Sequence, residues 1–375
     1  MKISQNFDSG NIEVISADDN KNIRLNIRKD TNADHFQWFY FRLQDARGYP
    51  CKMTIENAHA ASYPEGWEGY EVCASYDRSY WFRIPTKYDG KVLSFELTPD
   101  FNSVFFAYFA PYTYEQHLDL IHSAQMSDLC VVKNLGLTGL GKDIDLLEIG
   151  EPGIGKKNIW VIARQHPGES QASWFMEGFI ERLLNYDDPV SRVLLEKAVF
   201  YVVPLVNPDG AVLGNLRCTA SGINLNREWA KPDIEKSPEV FHIRNEMDET
   251  GVDLMLDIHA DEGLPYNFVS SIEGIPGFDK RLSNLLSEFK NEWLKISPDF
   301  QDEHTYPKDK PKKGNLNICS KQIGHRYNCL SITIEMPFKD NKNLPDPTTG
   351  WSPERSYKFG ESVLYPILAV VDDLR

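Results

Sequence analysis

The chain has no run of apolar residues long enough to cross a bilayer. Its N-terminus, MKISQNFDSGNIEVI, carries no apolar segment of the kind a secretory leader needs. It also lacks basic excess. Forty Lys and Arg stand against 55 Asp and Glu, a net charge of −15 over 375 residues. Nucleic acid and anionic membranes both need a basic footprint, so neither is expected as a partner, although a local basic pocket can sit on an acidic protein. Cysteine pairing is missing as well. Cys51, Cys73, Cys130, Cys218, Cys319 and Cys329 are scattered with no CxxC spacing. A disulfide framework is not expected at this length, and reduced thiols imply a cytoplasmic setting. Repeats and low-complexity tracts are absent, and 41% apolar with 25% charged residues is an ordinary globular composition.

What is present changes character along the chain. Up to about residue 120, short stretches rich in aromatic and β-branched residues (IRLNIRK, QWFYFRLQ, CKMTIEN, YEVCASY, SYWFRIP, LSFELT, SVFFAYF) are separated by turn sequences such as DARGYP and YDGK. This spacing predicts an antiparallel β-sandwich over residues 1–120. Beyond it, DIDLLEIG, NIWVIARQ, AVFYVVPLVN, VDLMLDIHA and CLSITIEMPF are nearly continuous apolar runs. Such strands lie buried on both faces of a mostly parallel sheet. Helical periodicity separates them, over 170–185, 239–250, 279–295 and 353–374. Residues 121–375 therefore read as an α/β domain with helices on both faces of a mixed, mostly parallel sheet. The segment APYTYEQHLDLIHSA carries the chain from one part to the other.

In open α/β sheets, ligand sites gather at the carboxyl ends of the strands. Three of the apolar runs deliver chemistry there. NIWVIA is followed by RQHPGE, with His166 and Glu169; VDLMLDIHA ends near His259; CLSITIEM ends near Glu335. Any one of these could be a structural or surface residue. Together they offer two imidazoles and a carboxylate, the usual protein ligands of a catalytic zinc, and a separate carboxylate to move a proton. His166, Glu169 and His259 form a complete ligand set, which leaves Glu335 as the base. A metal there would acidify a water and polarise a carbonyl. The stretch VVPLVNPDGAVLGNLRCTASGINLNREW begins as a strand and breaks into a loop that cannot pack a core. It supplies Arg217, Asn226 and Arg227, suited to a substrate carboxylate or a developing oxyanion. The plain alternative is surface solvation, or ion pairs with Glu228 or Asp209.

The motifs HPGES, NPDGAVLGNLRC and GINLNREW closely resemble the zinc carboxypeptidases of the M14 type. WFYFR at 38–42 and FAYFAPYTY at 106–114 resemble the cytosolic carboxypeptidase branch, which has a β-sandwich before its catalytic domain. The resemblance spans almost the whole chain. It implies a hydrolase that binds one zinc ion per chain and removes the last residue of a peptide or protein tail. By position, it implies His166, Glu169 and His259 as zinc ligands and Glu335 as general base. It further implies Arg217 as the group that polarises the scissile carbonyl, with Asn226 and Arg227 as the grip on the terminal carboxylate.

Three departures stand out. Asn224 replaces the usual aspartate beside a zinc-bound histidine. Ala260, Asp261 and Glu262 follow His259 where the family often has H-G-H. The mobile tyrosine of the family corresponds to Tyr306 or Tyr327. Some members of the branch trim glutamates from acidic tails, and Lys308, Lys310, Lys312 and Lys313 could form a cationic pocket or simply an exposed loop. Asp261 and Glu262 would repel an acidic side chain if they face inward. Two rival readings are an amidohydrolase of the same fold acting on N-acyl amino acids (aspartoacylase- or desuccinylase-like) and a non-catalytic peptide-binding protein. The long NPDG-to-NREW loop and the sandwich favour the carboxypeptidase over the first. The four intact positions favour it over the second.

Overall fold

The computed structural model describes residues 1–375. Ten short strands open the chain: β1 (Lys2–Ser4), β2 (Glu13–Ser16), β3 (Ile23–Asn26), β4 (Tyr40–Gln44), β5 (Cys51–Ile55), β6 (Val72–Ser75), β7 (Phe82–Ile84), β8 (Thr86–Tyr88), β9 (Leu93–Leu97) and β10 (Ser103–Ala107). They form two five-stranded sheets, ordered β1-β4-β10-β6-β7 and β2-β3-β5-β9-β8. All pairings are antiparallel except β3 with β5. Period-two burial explains the sandwich. In β4, Phe41 and Leu43 are buried while Arg42 and Gln44 are only partly covered. Phe95 of β9 meets Phe106 of β10 at 5.6 Å, joining the two sheets across the core. The expected strand QWFYFRLQ starts only at Tyr40; before it, the buried Gln37 side chain bonds the backbone of Tyr63 and Tyr108 Oη.

Helix α1 (Tyr114–Ala124) follows, fixed at its start by a reciprocal cap between Thr113 and Gln116. The second part contains β11 (Cys130–Leu137), β12 (Asp143–Ile149), β13 (Lys157–Ala163), α2 (Gln171–Leu183), α3 (Pro189–Lys197), β14 (Ala198–Val203), α4 (Pro208–Leu213), α5 (Pro238–Thr250), β15 (Leu254–Asp261), β16 (Phe268–Ser270), α6 (Lys280–Ile296), α7 (Cys319–Tyr327), β17 (Leu330–Pro337), α8 (Pro353–Ser362) and α9 (Leu364–Val370). Its seven-stranded sheet runs β11-β12-β14-β13-β15-β17-β16. The four central strands are parallel; β11, β12 and β16 are antiparallel additions at the edges. The fold is therefore mixed α/β, and β12, read from its apolar run as part of the parallel set, is antiparallel to both neighbours. The single helix expected over 353–374 is broken at Val363. Pro366 has no N–H to bond the carbonyl one turn earlier.

The sandwich packs directly on the α/β part. Tyr108 stacks on Phe338 at 4.4 Å, Arg83 donates to the carbonyls of Phe338 and Trp351, and one continuous core contains residues of both. In the sheet, β13, β15 and β17 lie side by side, with Ala163 opposite Ile258 and His259 opposite Glu335. Three strand ends are thus level at one edge. No helix is long and apolar enough to cross a membrane.

Candidate metal centre and active-site cleft

β13 ends at Ala163, and Arg164 turns the chain with φ at 61°. Left-handed backbone costs a non-glycine residue about 1–2 kcal/mol. The fully buried guanidinium offsets that cost by donating to Pro167 O (2.9 Å), Tyr112 O (2.7 Å) and Ser173 Oγ (3.2 Å). Burial pushes its pKa down to about 10, which leaves it cationic at neutral pH. The turn it secures presents His166 and Glu169, both buried. Glu169 Oε1 lies 2.7 Å from His166 Nδ1, and its Oε2 lies 2.7 Å from Nδ1 of the buried His259 on β15. The three residues offer ligand atoms that all fall within 4.8 Å of one another.

The far nitrogen of each ring is also engaged. His166 Nε2 is 3.2 Å from Asn224 Oδ1, as the departure in the GINLNR segment suggests. His259 Nε2 is 3.0 Å from Asp257 Oδ1. Asp257 is held in turn by Gln165 Nε2, at 2.8 Å from each oxygen, and Gln165 Oε1 accepts from Trp229 Nε1. Sequence reading passed over this chain. Its signal was there: Asp257 is a charge inside an apolar strand, two residues before His259 and so on the same face. With the outer nitrogens occupied by oxygen acceptors, both Nδ1 atoms are aimed at the cluster.

Burial and the nearby Arg217 push His166 down to about 4, keeping it neutral. Burial would raise Glu169, but the two imidazoles outweigh it and hold the carboxyl below the usual range. Burial lowers His259, yet Asp257 and Glu169 outweigh it and carry the ring above its ordinary value. Glu335, at the end of β17, is raised well above a normal carboxylate by burial, with Glu169, Asp261 and Glu262 adding to it and His259 opposing. Its Oε2 accepts no hydrogen bond from the protein.

Arg217, Asn226 and Arg227 line the same cleft as these four residues, a cavity of about 1340 Å³. Arg217 pairs with neither Glu228 nor Asp209; Asp209 instead accepts from Leu140 N. The Arg217 guanidinium lies 5.5 Å over the Tyr63 ring. Asn226 Oδ1 accepts from Cys319 N at 2.8 Å, and Arg227 donates to Asn226 O. Of the two tyrosines, Tyr306 lines the cleft, with its hydroxyl on Asp261 and 3.5 Å from Glu335 Oε1. Tyr327 is bonded to Asp248 elsewhere. Only Lys308 of the lysine run reaches the cavity, and it pairs with Glu273. Lys310, Lys312 and Lys313 are exposed outside it. The sequence reading missed Lys321, which lines the cleft beside Ser320 and Thr333 and pairs with Asp309. It also missed Tyr63, Glu65 and Glu68, the wall contributed by the sandwich, which no motif marks.

A His–Glu–His cluster at the carboxyl edge of a mixed sheet, faced by an acid and an arginine loop, defines an α/β metallohydrolase. Comparison with known proteins narrows the class. Two family models match, the cytosolic carboxypeptidase N-terminal domain over residues 3–109 and zinc carboxypeptidase over residues 114–357. The chain belongs to the M14 zinc carboxypeptidases, in the cytosolic carboxypeptidase branch. It is 47% identical to the crystal structure of a metallo-carboxypeptidase from Burkholderia cenocepacia, covering 99% of each chain with a TM-score of 0.97. A metallo-carboxypeptidase from Pseudomonas aeruginosa, solved in complex with (2-guanidinoethylmercapto)succinic acid, is 45% identical over the full length of both chains, with a TM-score of 0.97. Cytosolic carboxypeptidase 2 of Xenopus tropicalis is 31% identical over 69% of this chain, which spans only 30% of that protein.

Proposed function

We propose that this metallocarboxypeptidase holds one zinc ion on His166, Glu169 and His259 and releases the C-terminal residue of peptides or protein tails, with preference for an acidic terminal side chain. The donor set fits the ion. Two nitrogens and a carboxylate oxygen converge within 4.8 Å, all buried, and both imidazoles are oriented by their outer hydrogen bonds. When bound, zinc supplies Lewis acidity to a carbonyl oxygen and acidity to a water.

The chain's own groups do the rest. Glu335 takes a proton from the attacking water and passes it to the departing amine. A buried carboxyl with one free oxygen at the cavity wall is placed for both halves of that transfer. Arg217 donates to the carbonyl oxygen as it gains negative charge. Asn226 and Arg227 hold the terminal carboxylate, which restricts cleavage to the last bond. Tyr306 stands beside Glu335 at the rim.

The observation that carries the reading is that an unpartnered carboxyl oxygen, an unengaged guanidinium and the His–Glu–His cluster face one cavity. The acidic preference is supported by Lys321 at the start of α7. The acids next to His259 oppose it less than their sequence suggests. Burial, with Glu169 and Asp261 adding and Arg217 opposing, raises Glu262 well above the carboxylate range, and Asp261 is occupied by the amides of Gly263 and Leu264 and by Tyr306. Six free thiols support a reducing, cytoplasmic setting.

Amino-acid release from peptides ending in Glu, Asp, Lys, Phe or Leu, with an amidated control, tests the proposal. Chelator-sensitive release that fails on the amide and is fastest for Glu and Asp is expected. Release from the amidated peptide, or indifference to chelator, rejects it.

A further inference from the structure

Arg217 has an unusual dependence on its backbone. Its guanidinium makes no hydrogen bond or ion pair within the protein and rests only over the Tyr63 ring at 5.5 Å. No hydrogen bond at the tip of the side chain fixes where it points, so its aim is set chiefly by the loop that carries it and by the Tyr63 ring beneath it. That loop is gripped by the sandwich. Asp30, buried at 3% exposure, accepts from three consecutive amides: Leu216 N at 2.6 Å and Arg217 N at 2.8 Å and Cys218 N at 2.9 Å. Three backbone donors on one carboxylate form an anion nest in reverse, with the protein's own anion seated in it.

The neighbours of Asp30 extend the hold. Thr31 N and Oγ1 both bond Asn215 Oδ1, at 3.0 and 3.2 Å. Asn32 Nδ2 donates to Ala220 O at 2.8 Å, and Asn11 Nδ2 donates to Gly214 O at 2.7 Å. Glycine is required where the two parts touch. A Cβ on Gly222 would stand 2.2 Å from Asn32 O, and one on Gly214 would stand 2.8 Å from Gly10 O. From the other side, Gly168, within the His166–Glu169 turn, donates to Leu216 O at 2.9 Å. The loop is therefore clamped between the sandwich and the metal motif, with Arg217 at the centre of the clamp.

We infer that Asp30 is a positioning residue for Arg217, and that the sandwich is a working part of the catalytic apparatus rather than an appended module. The inference rests on the proposed role of Arg217 at the scissile carbonyl. A carboxylate 187 positions away in sequence sets the register of the amides that aim the guanidinium.

The test is a double-mutant cycle of Asp30→Asn and Arg217→Ala, read as kcat, KM, bound zinc and Tm on the best peptide of the panel. Arg217→Ala is expected to lower kcat by about 100- to 1000-fold. Asp30→Asn is expected to lower kcat by about 10- to 100-fold, as a misplaced group does, with KM and zinc content nearly unchanged. The double variant should be no slower than Arg217→Ala alone, because Asp30 has nothing left to position. If the two losses multiply, or if Asp30→Asn lowers Tm while kcat is preserved, Asp30 is only structural and the inference is overturned. If Arg217→Ala leaves kcat unchanged, the role of Arg217 itself fails, a result distinct from the first. Should Asp30→Asn not fold, Thr31→Val removes one bond of the same clamp. A smaller loss of kcat that vanishes in the Arg217→Ala background supports the inference, and a multiplying loss overturns it.

Discussion

His259 and Glu335 stand opposite each other in the register of two parallel strands, β15 and β17. The pairing puts Glu335, the proposed base, beside the His–Glu–His cluster, and its Oε2 is without a protein donor. Glu335→Gln keeps the shape and removes the proton acceptor. Turnover should fall by about 10²- to 10⁴-fold, while metal analysis shows wild-type zinc. Retained turnover would remove Glu335 as the base.

The two histidines differ in what supports them. His259 leans on a carboxylate, Asp257, and His166 on an amide, Asn224. A carboxylate partner raises ligand basicity more than an amide does, and such outer contacts are worth about 10- to 100-fold in metal affinity. Asn224→Asp should therefore bind zinc more tightly and Asp257→Asn more weakly, measured by competition with a chelator at fixed pH. Equal affinities in all three proteins would show that these contacts orient the rings without tuning them.

Much of this site was legible because its residues sit at strand ends. A histidine or glutamate near the end of an apolar strand stands out from the run, so His166, Glu169, His259 and Glu335 marked one edge of the sheet in the sequence alone. Edge strands were harder. β11 is half exposed and β16 has three residues, too short for a period to emerge. The contribution of the sandwich was invisible for a different reason. Asp30, Tyr63 and Glu68 act through contacts with residues far along the chain, and a lone acid or tyrosine in a loop carries no local pattern. Lys321 was passed over in favour of the denser run at 308–313, where charge density marked solvent rather than the cleft.

Glu239 offers a test of stability that is independent of the chemistry. It is buried in the first turn of α5, its Oε2 has no protein partner, and Asp209 nearby has an unpartnered Oδ1. Burial, with Asp209 adding, pushes its pKa from 4.5 to about 7. The folded protein then holds a proton that the unfolded chain releases near 4.5, so stability is fully present below that pH and is lost as pH rises through about 7. The interval corresponds to an upper limit of about 3 kcal/mol. Glu239→Gln should leave Tm unchanged near pH 4.5 and raise it by about 2–5 °C at pH 8. A Tm difference that does not grow between those pH values would show that Glu239 ionises normally in the fold.

The proposed preference for an acidic terminal residue puts its weight on Lys321. It is the cation that lies beside the hydroxyls of Ser320 and Thr333, themselves bonded at 2.9 Å across α7 and β17. Its partner Asp309 belongs to the loop after Tyr306, so an incoming carboxylate can share or replace that partner. Reversing the charge tests attraction and repulsion together. Lys321→Glu should invert the ratio of kcat/KM between peptides ending in Glu and in Lys, a change of about 100-fold or more. Lys321→Met should lose the acidic preference without gaining a basic one, since it removes the attraction and adds no opposite charge. With Asn226 and Arg227, the proposed grip on the terminal carboxylate, untouched, both variants should continue to reject an amidated peptide. An unchanged Glu-to-Lys ratio in Lys321→Glu would place the determinant elsewhere, with Lys290, Lys308, Lys339 and Lys342 the other lysines of the wall to examine.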